Sequence, residues 1–410
     1  IDDNARLTMT ASGRFVRLTL YQDETIGSLA GTSGLVSAGN GNRVLTLGGD
    51  NTSTSFGGEF ITGGGTLSVV KTGTGTMTLT RSYGFQNNPF LGGFTIAGGT
   101  LAISADRVLG ADSAALTFAG GGTTLQTLAD ITSTRNVVMN QPGTIDTAAG
   151  TTATFGGVIS GSFSLTKTGA GTLVLAGANT ETARIYLNEG TLRIANNDAF
   201  TAYGLFAAAG TTIDYADGIA NARGIQADAG VVTFNQSGGS ATQSGLIADD
   251  AAITKTGTGN LTLSGSNTYS GTTTVSEGTL TVTSRGALGS LSAGTVVEDG
   301  ATLVLGGSGI VSVGEALTLT GTGVDGAGAL VSSGPGVRTV TGAITLAGNT
   351  LVSTSRGANY LDLAGSITGV DTDFTFSSEG LSRISGQLSL GAGILTKTGP
   401  GGLRLDGANN

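Results

Sequence analysis

The sequence predicts an all-β chain wound as a parallel β-helix, a solenoid of short coils, and three observations carry that expectation. All four lysines among the 410 residues stand in one phrase, Lys-Thr-Gly-x-Gly, at Lys71, Lys167, Lys255 and Lys397, while fifteen arginines are scattered elsewhere. Equivalent apolar positions recur at about one coil's length: 19 residues from Leu261 to Leu280 and from Leu173 to Leu192, 23 from Leu280 to Leu303, 24 from Met77 to Leu101. Glycine makes up 73 residues, with no Gly-X-Y period and only four prolines, which fits very many turns and excludes collagen. Self-similarity at this spacing marks a chain built from stacked copies of one unit. At ~20–24 residues per coil the chain makes roughly 17–20 coils. At ~4.8 Å per coil they form one elongated rod of about 80–100 Å. The expected organisation is a continuous solenoid over residues 1–410, with repeat copies near 69–103, 165–194, 253–283 and 395–410.

The chain opens on a strand-like stretch, Ile1 to Leu20. The first lysine copy continues as Gly75-Thr76-Met77-Thr78-Leu79 and closes on Gly98-Gly99-Thr100-Leu101-Ala102-Ile103. Alternation of apolar and β-favouring polar residues with period two gives short strands with one buried face. Asp106–Ala115 and Asn196–Ala209 are the two stretches where a helix competes. The second copy runs Gly171-Thr172-Leu173-Val174-Leu175-Ala176-Gly177-Ala178-Asn179-Thr180 and closes on Glu189-Gly190-Thr191-Leu192. The third is the cleanest, from Ile253 through Leu261-Thr262-Leu263 and Asn267-Thr268-Tyr269 to Leu280-Thr281-Val282. Gly-x-Gly and Ser-Gly-x-Asn supply turns with positive φ. Residues 284–396 are the least regular and are read as continued coils, with strands at Val337–Val340, Leu361–Leu363 and Phe374–Phe376. The fourth copy stops mid-phrase at the end of the chain, which reads as a piece of a longer protein. Apolar residues are expected to stack inside each coil, and Thr and Ser to form ladders outside.

Composition narrows function. A net charge of −9 over 410 residues gives no concentrated basic face for nucleic acid. No apolar run approaches the ~20 residues that cross a bilayer. No charged, then apolar, leader opens the chain, so the expectation is that any signal peptide is already removed. Absence of cysteine suits passage through an oxidising compartment in an unfolded state.

Reactive constellations are scarce. Without His or Cys no Ser-His-Asp or Cys-His nucleophile is available, and the usual zinc sites are lost too. Ser68-Val69-Val70-Lys71 and Lys-Thr-Gly together imitate penicillin-binding enzymes, but one lysine would have to serve two roles, and no Ser-Asp-Asn exists. The lysine is read instead as a solvated residue at a strand-to-turn corner. Asp371 with Asp373, Asp214 with Asp217, Asp249 with Asp250, and Glu298 with Asp299 are the acidic pairs open to glycan cleavage or Ca²⁺ binding. On a strand, Asp371 and Asp373 would share a face; such pairs are more often solvated turns and faces, which is the preferred reading. No phosphate-cradling Gly-rich loop is present, and the Thr-rich strands are too irregular for a flat ice-binding ladder. Two aromatic groups, Tyr83, Phe85, Phe90, Phe94 and Phe200, Tyr203, Phe206, Tyr215, either dock a partner or fill the core, the latter being preferred. No catalytic, cofactor-binding or metal-binding residue is assigned.

The phrase from Ile253 to Thr283, followed by Ala287-Leu288-Gly289, resembles the passenger-associated transport repeat of bacterial autotransporters. The copy near 165–194 departs from it at Glu181-Thr182-Ala183-Arg184, and the copy near 69–103 is about five residues longer around Arg81–Pro89. The resemblance implies a right-handed parallel β-helix, exported across the outer membrane of a Gram-negative bacterium by a C-terminal β-barrel. Some autotransporter passengers are serine proteases; a chain without histidine is not one of them. The repeat speaks for secretion and architecture and not for a ligand. Together with the missing catalytic residues and the long Thr/Ser surface it leads to the expectation of a non-enzymatic surface protein, the passenger rod or a piece of it, acting in adhesion or cell aggregation. Its partners would be a cell-surface, glycan or protein ligand, or other copies of itself, with no nucleic acid, and membrane attachment only through a barrel not contained in this sequence. A self-assembling filament, sheath or surface layer is the alternative, and a polysaccharide-cleaving β-helix enzyme a third reading.

Overall fold

The computed structural model describes residues 1–10, 16–80, 90–201, 203–309, 311–355 and 360–407. Short strands, most of three to five residues, alternate with turns, and two 3₁₀ turns at Asp106–Leu109 and Val324–Gly326 are the helical elements among the described residues. Among the described residues the strand pairs are parallel, each strand lying on the next copy of itself one coil further on. The chain is an all-β solenoid, and it divides into two compact units, Ile1–Leu205 and Phe206–Asn410.

In the first unit, seven strands from Glu24–Ile26 to Ile159–Gly161 stack into one wall. A second wall carries an apolar column in strict register: Met77 on Leu101, Leu101 on Leu125, Leu125 on Ile145. A third has Ala153 on Leu173 and Leu173 on Leu192. In the second unit Leu261, Leu280, Leu303 and Leu330 form an equivalent column. The 19-, 23- and 24-residue spacings of the sequence are therefore coil registers. All these residues are buried except at the outward parity, where Thr262 and Thr281 stack on each other.

Irregular sequence does not interrupt the winding. Thr295 pairs with Leu317, Leu317 with Ile344, Ile344 with Ile367 and Ile367 with Leu388. The coil between Leu317 and Ile344 is enlarged, and the register slips between Leu319 and Gly321. Of the two stretches where a helix competed, the first holds the 3₁₀ turn at Asp106–Leu109 and the second has none among its described residues. Thr ladders are not confined to the outside: Thr127 on Thr147 and Thr273 on Thr295 are fully buried. Thr127 and Thr147 are within reach of backbone carbonyls, those of Asp146 and Thr168 at 3.4 and 3.5 Å.

Candidate functional site: lysine cages and coil-capping turns

Lys71, Lys167 and Lys255 are not solvated corners. In Leu67–Lys71 the exposure alternates so that Leu67, Val69 and Lys71 face inward. Lys71 stacks between Leu47 and Ile96, Lys167 between Ile145 and Leu187, and Lys255 between Phe234 and Val275. Each lysine thus occupies a core column position, and each is at most 1 % exposed. A buried ammonium needs acceptors for its three protons. Lys255 Nζ donates to the carbonyl oxygens of Thr256 at 2.9 Å, Gly257 at 2.7 Å and Glu277 at 3.1 Å. Lys167 repeats the arrangement with Thr168 and Gly169, both at 2.6 Å, and Glu189 at 3.1 Å. Lys71 does so with Thr72 at 2.6 Å, Gly73 at 3.3 Å and Gly98 at 3.1 Å. Two acceptors come from the lysine's own turn and the third from the turn of the following coil. The partly exposed Lys397 holds the carbonyls of its own turn, Thr398 and Gly399.

Turn chemistry builds the cage. Gly257 has φ +77°, and a Cβ placed there would lie 2.4 Å from the carbonyl oxygen of Gln236, so only glycine brings its carbonyl round to the ammonium. The next coil also reaches back, with the Glu277 carboxylate accepting from the Gly257 N–H at 3.0 Å and Glu189 from Gly169 at 3.1 Å. Burial pulls the pKa of Lys71, Lys167 and Lys255 down to about 8, against the pull of Asp50 on the first, Asp146 and Glu189 on the second and Glu277 on the third. At neutral pH all three remain charged.

A second staple follows the cages of Lys167 and Lys255. Asn267 Oδ1 accepts from the Ile247 N–H at 2.8 Å while its Nδ2 donates to the Ala287 carbonyl at 2.7 Å, so one side chain joins three coils. Asn179 does the same between Ile159 at 2.9 Å and Ala199 at 2.6 Å. Two residues on stands Tyr269, buried, with its hydroxyl 2.6 Å from Thr273 Oγ1. Glu181 holds the matching place in the second copy. It is 1 % exposed, takes the Thr201 N–H on Oε1 at 3.2 Å, leaves Oε2 and the neighbouring Thr201 hydroxyl buried without partners, and burial pushes its pKa up to about 7.

The acidic pairs are parts of the winding. Asp371 and Asp373 lie in the turn before the strand Phe374–Ser378, not on a strand, and Asp371 has φ +53°. Asp371 Oδ1 accepts from the Ala392 N–H at 2.8 Å and Asp373 Oδ1 from Ile394 at 3.0 Å, both one coil further on. Asp214 is a strand residue bonded to Asn235 Nδ2 at 2.7 Å, whereas Asp217 is a turn residue capping Ser240 N–H at 2.7 Å. Asp250 accepts from Ser270 Oγ at 2.9 Å, and Asp249 takes φ +78°. Among the described residues no group of three or more acidic side chains gathers where a metal ion would sit. Ser68 points away from the core and donates to the Gly92 carbonyl at 3.2 Å, so it does not pair with the inward Lys71.

Aromatic residues fill the core. Phe60, Phe90 and Phe94 meet edge to face with centroids 5.7–6.0 Å apart, and Tyr215 stacks on Phe234 at 6.4 Å. Phe200 is buried and Tyr203 exposed; Tyr83 and Phe85 lie outside the described residues. Two buried guanidiniums escaped the sequence reading. Arg135 grips Asp106 at 2.7 and 2.8 Å and the Ala111 and Ala114 carbonyls at 3.2 and 2.9 Å. Arg338 is held by carbonyls, among them Gly307 and Gly309, both at 2.6 Å.

A parallel solenoid whose coils are locked by repeated inward lysines defines the class. The passenger-associated-transport-repeat family matches residues 69–103, 165–194, 253–282 and 395–410, the four lysine copies. Over 174 residues the chain is 34 % identical to the adhesin BmaC autotransporter of Brucella suis biovar 1 (strain 1330), which covers 41 % of this chain and 4 % of that protein. The chain therefore spans about 4 % of the length of the curated relative it matches. No solved structure matches. The chain has the repeats and the fold of an autotransporter passenger domain. No helix among the described residues is long and apolar enough to cross a membrane, which says nothing of strands.

Proposed function

We propose that the chain is a non-enzymatic, surface-exposed passenger segment of a Gram-negative cell, acting in adhesion or cell aggregation. Its similarity to an adhesin autotransporter carries this reading. The use made of its polar groups supports it. The lysines, Asn179, Asn267, Asp371 and Asp373 spend their hydrogen-bonding capacity on backbone of their own or neighbouring coils. What such a winding offers a partner is its outer surface of turns and short strands. Displaying residues 1–410 on a non-adherent Gram-negative host tests the proposal, with attachment to host cells and matrix-coated surfaces and the settling rate of standing cultures as readouts. Attachment or clumping several-fold above an empty display vector is expected. Behaviour equal to the vector in every assay overturns it, and ordered polymers of the purified chain in electron micrographs would favour the self-assembling alternative.

A further inference from the structure

We infer that the inward lysines are register keys, which decide which coil stacks on which while the chain folds. A solenoid of similar coils has a specific folding hazard. Skipping one coil lays the apolar column of one strand onto an equally apolar column, and burial alone does not penalise the error. A column of Leu261, Leu280 and Leu303 is nearly indifferent to losing its middle member. A charged residue inside the column is not indifferent, since its acceptors must arrive with the correct neighbour.

The geometry makes the third acceptor specific to the adjacent coil. Lys255 pairs with Val275, and four residues separate Val275 from Leu280, placing the Glu277 carbonyl 3.1 Å from Nζ. In the coil after that, five residues separate the equivalent Val297 from Leu303, so its turn has a different path. Lys71 shows the same contrast: four residues lie between Ile96 and Leu101 in the coil that supplies the Gly98 carbonyl, and six between Phe118 and Leu125 in the coil beyond. A skipped coil therefore presents each ammonium with a turn of the wrong length and leaves a buried charge short of an acceptor.

Register is measured directly by cross-linking, because the chain has no cysteine of its own. Thr262 lies in register with Thr281, and Thr281 with Val304, all at the outward parity. The pair Thr262→Cys with Thr281→Cys reports native stacking. The pair Thr262→Cys with Val304→Cys is two coils apart, roughly 9–10 Å, beyond disulfide reach unless a coil is skipped. Each pair is placed in the full chain and in the chain carrying Lys71→Met, Lys167→Met and Lys255→Met, then refolded from denaturant and oxidised. Methionine keeps the alkyl volume and removes the charge, so the column no longer calls for an acceptor from one particular coil. The expected result is at least a fivefold rise in the skipped-coil disulfide in the methionine chain, with a matching fall in the native one. Equal skipped-coil disulfide in the two backgrounds overturns the inference. Should the triple variant not refold, Lys255→Met alone decides by the same readout, with Lys397→Met as the control that leaves fidelity unchanged.

Discussion

The ammonium of Lys255 lies 3.1 Å from the carbonyl oxygen of Glu277, a residue of the following coil, and the Glu277 carboxylate returns to the N–H of Gly257 in the coil of the lysine. The two residues clamp consecutive turns from opposite directions. Truncating the lysine removes the alkyl chain from the column and three charge-assisted bonds at once. Lys255→Ala should cost about 2–4 kcal/mol, from the core volume lost and the carbonyls left without their donor. Lys397→Ala, at a partly exposed turn, should cost under about 1 kcal/mol. Urea titrations followed by circular dichroism compare the two.

The inward lysine was legible, and the reason it is easily missed is instructive. Lys255 follows Ile253 by two residues, and Lys167 follows Leu165 likewise, so strand parity alone places each lysine on the buried face. A preference for keeping charge in water points the other way, and the carbonyl cage that reverses it depends on a coil about twenty residues distant. Column registers such as Leu261 on Leu280 are read straight from spacing because both partners are apolar. Arg135 gave no such signal, since it stands outside the repeat copies and its partner lies on another coil, while Glu181 showed only as a departure from the repeat, its burial depending on a coil twenty residues away. For Asp371 and Asp373 the sequence left a strand face and a solvated turn both open, and the chain turns there.

Asn267 should behave as a bolt through three coils. Asn267→Ala leaves a buried N–H of Ile247 and the carbonyl of Ala287 unpaired, for a loss of about 2–3 kcal/mol. Asn267→Asp keeps the acceptor, loses the donor and faces a carbonyl with a carboxylate, so it should be at least as damaging at neutral pH and recover as the pH is lowered. Denaturant midpoints at pH 7 and pH 4 distinguish the two variants.

Glu181 should make stability depend on pH. Burial raises its pKa from 4.5 to about 7, so the folded chain keeps a proton that the unfolded chain gives up across that interval. Its contribution is fully present below pH 4.5 and is lost as the pH rises through 7. A shift of this size corresponds to about 3 kcal/mol. Glu181→Gln should therefore stabilise the chain at pH 8, leave it nearly unchanged at pH 4, and flatten the slope between. Glu315, whose pKa burial also raises to about 7, supplies a second slope that remains in the single variant and disappears in the double.

Arg135 should fix the connection it grips. Its guanidinium is fully buried and holds Asp106, Ala111 and Ala114, so Arg135→Met releases the 3₁₀ turn and the stretch after it from that grip. Limited proteolysis should cut the variant between residues 106 and 114 while the parent resists. Arg135→Lys should not restore resistance, because a single ammonium lacks the fork that spans the carboxylate and the carbonyls together.

The last expectation separates a capping acid from a catalytic one. Asp371 accepts the Ala392 N–H while holding φ +53°, a conformation that asparagine tolerates and alanine does not. Asp371→Asn keeps both the acceptor and the backbone preference, so its denaturant midpoint should stay within about 0.5 kcal/mol of the parent. Asp371→Ala loses the cap and adds strain, for a loss of about 1–3 kcal/mol. A carboxylate acting as general acid, base or nucleophile would give another ranking: any glycan-cleaving activity would vanish in the asparagine variant as completely as in the alanine one. Stability that follows Asp ≈ Asn > Ala, measured beside turnover on a polysaccharide panel, assigns Asp371 to the winding of the coil.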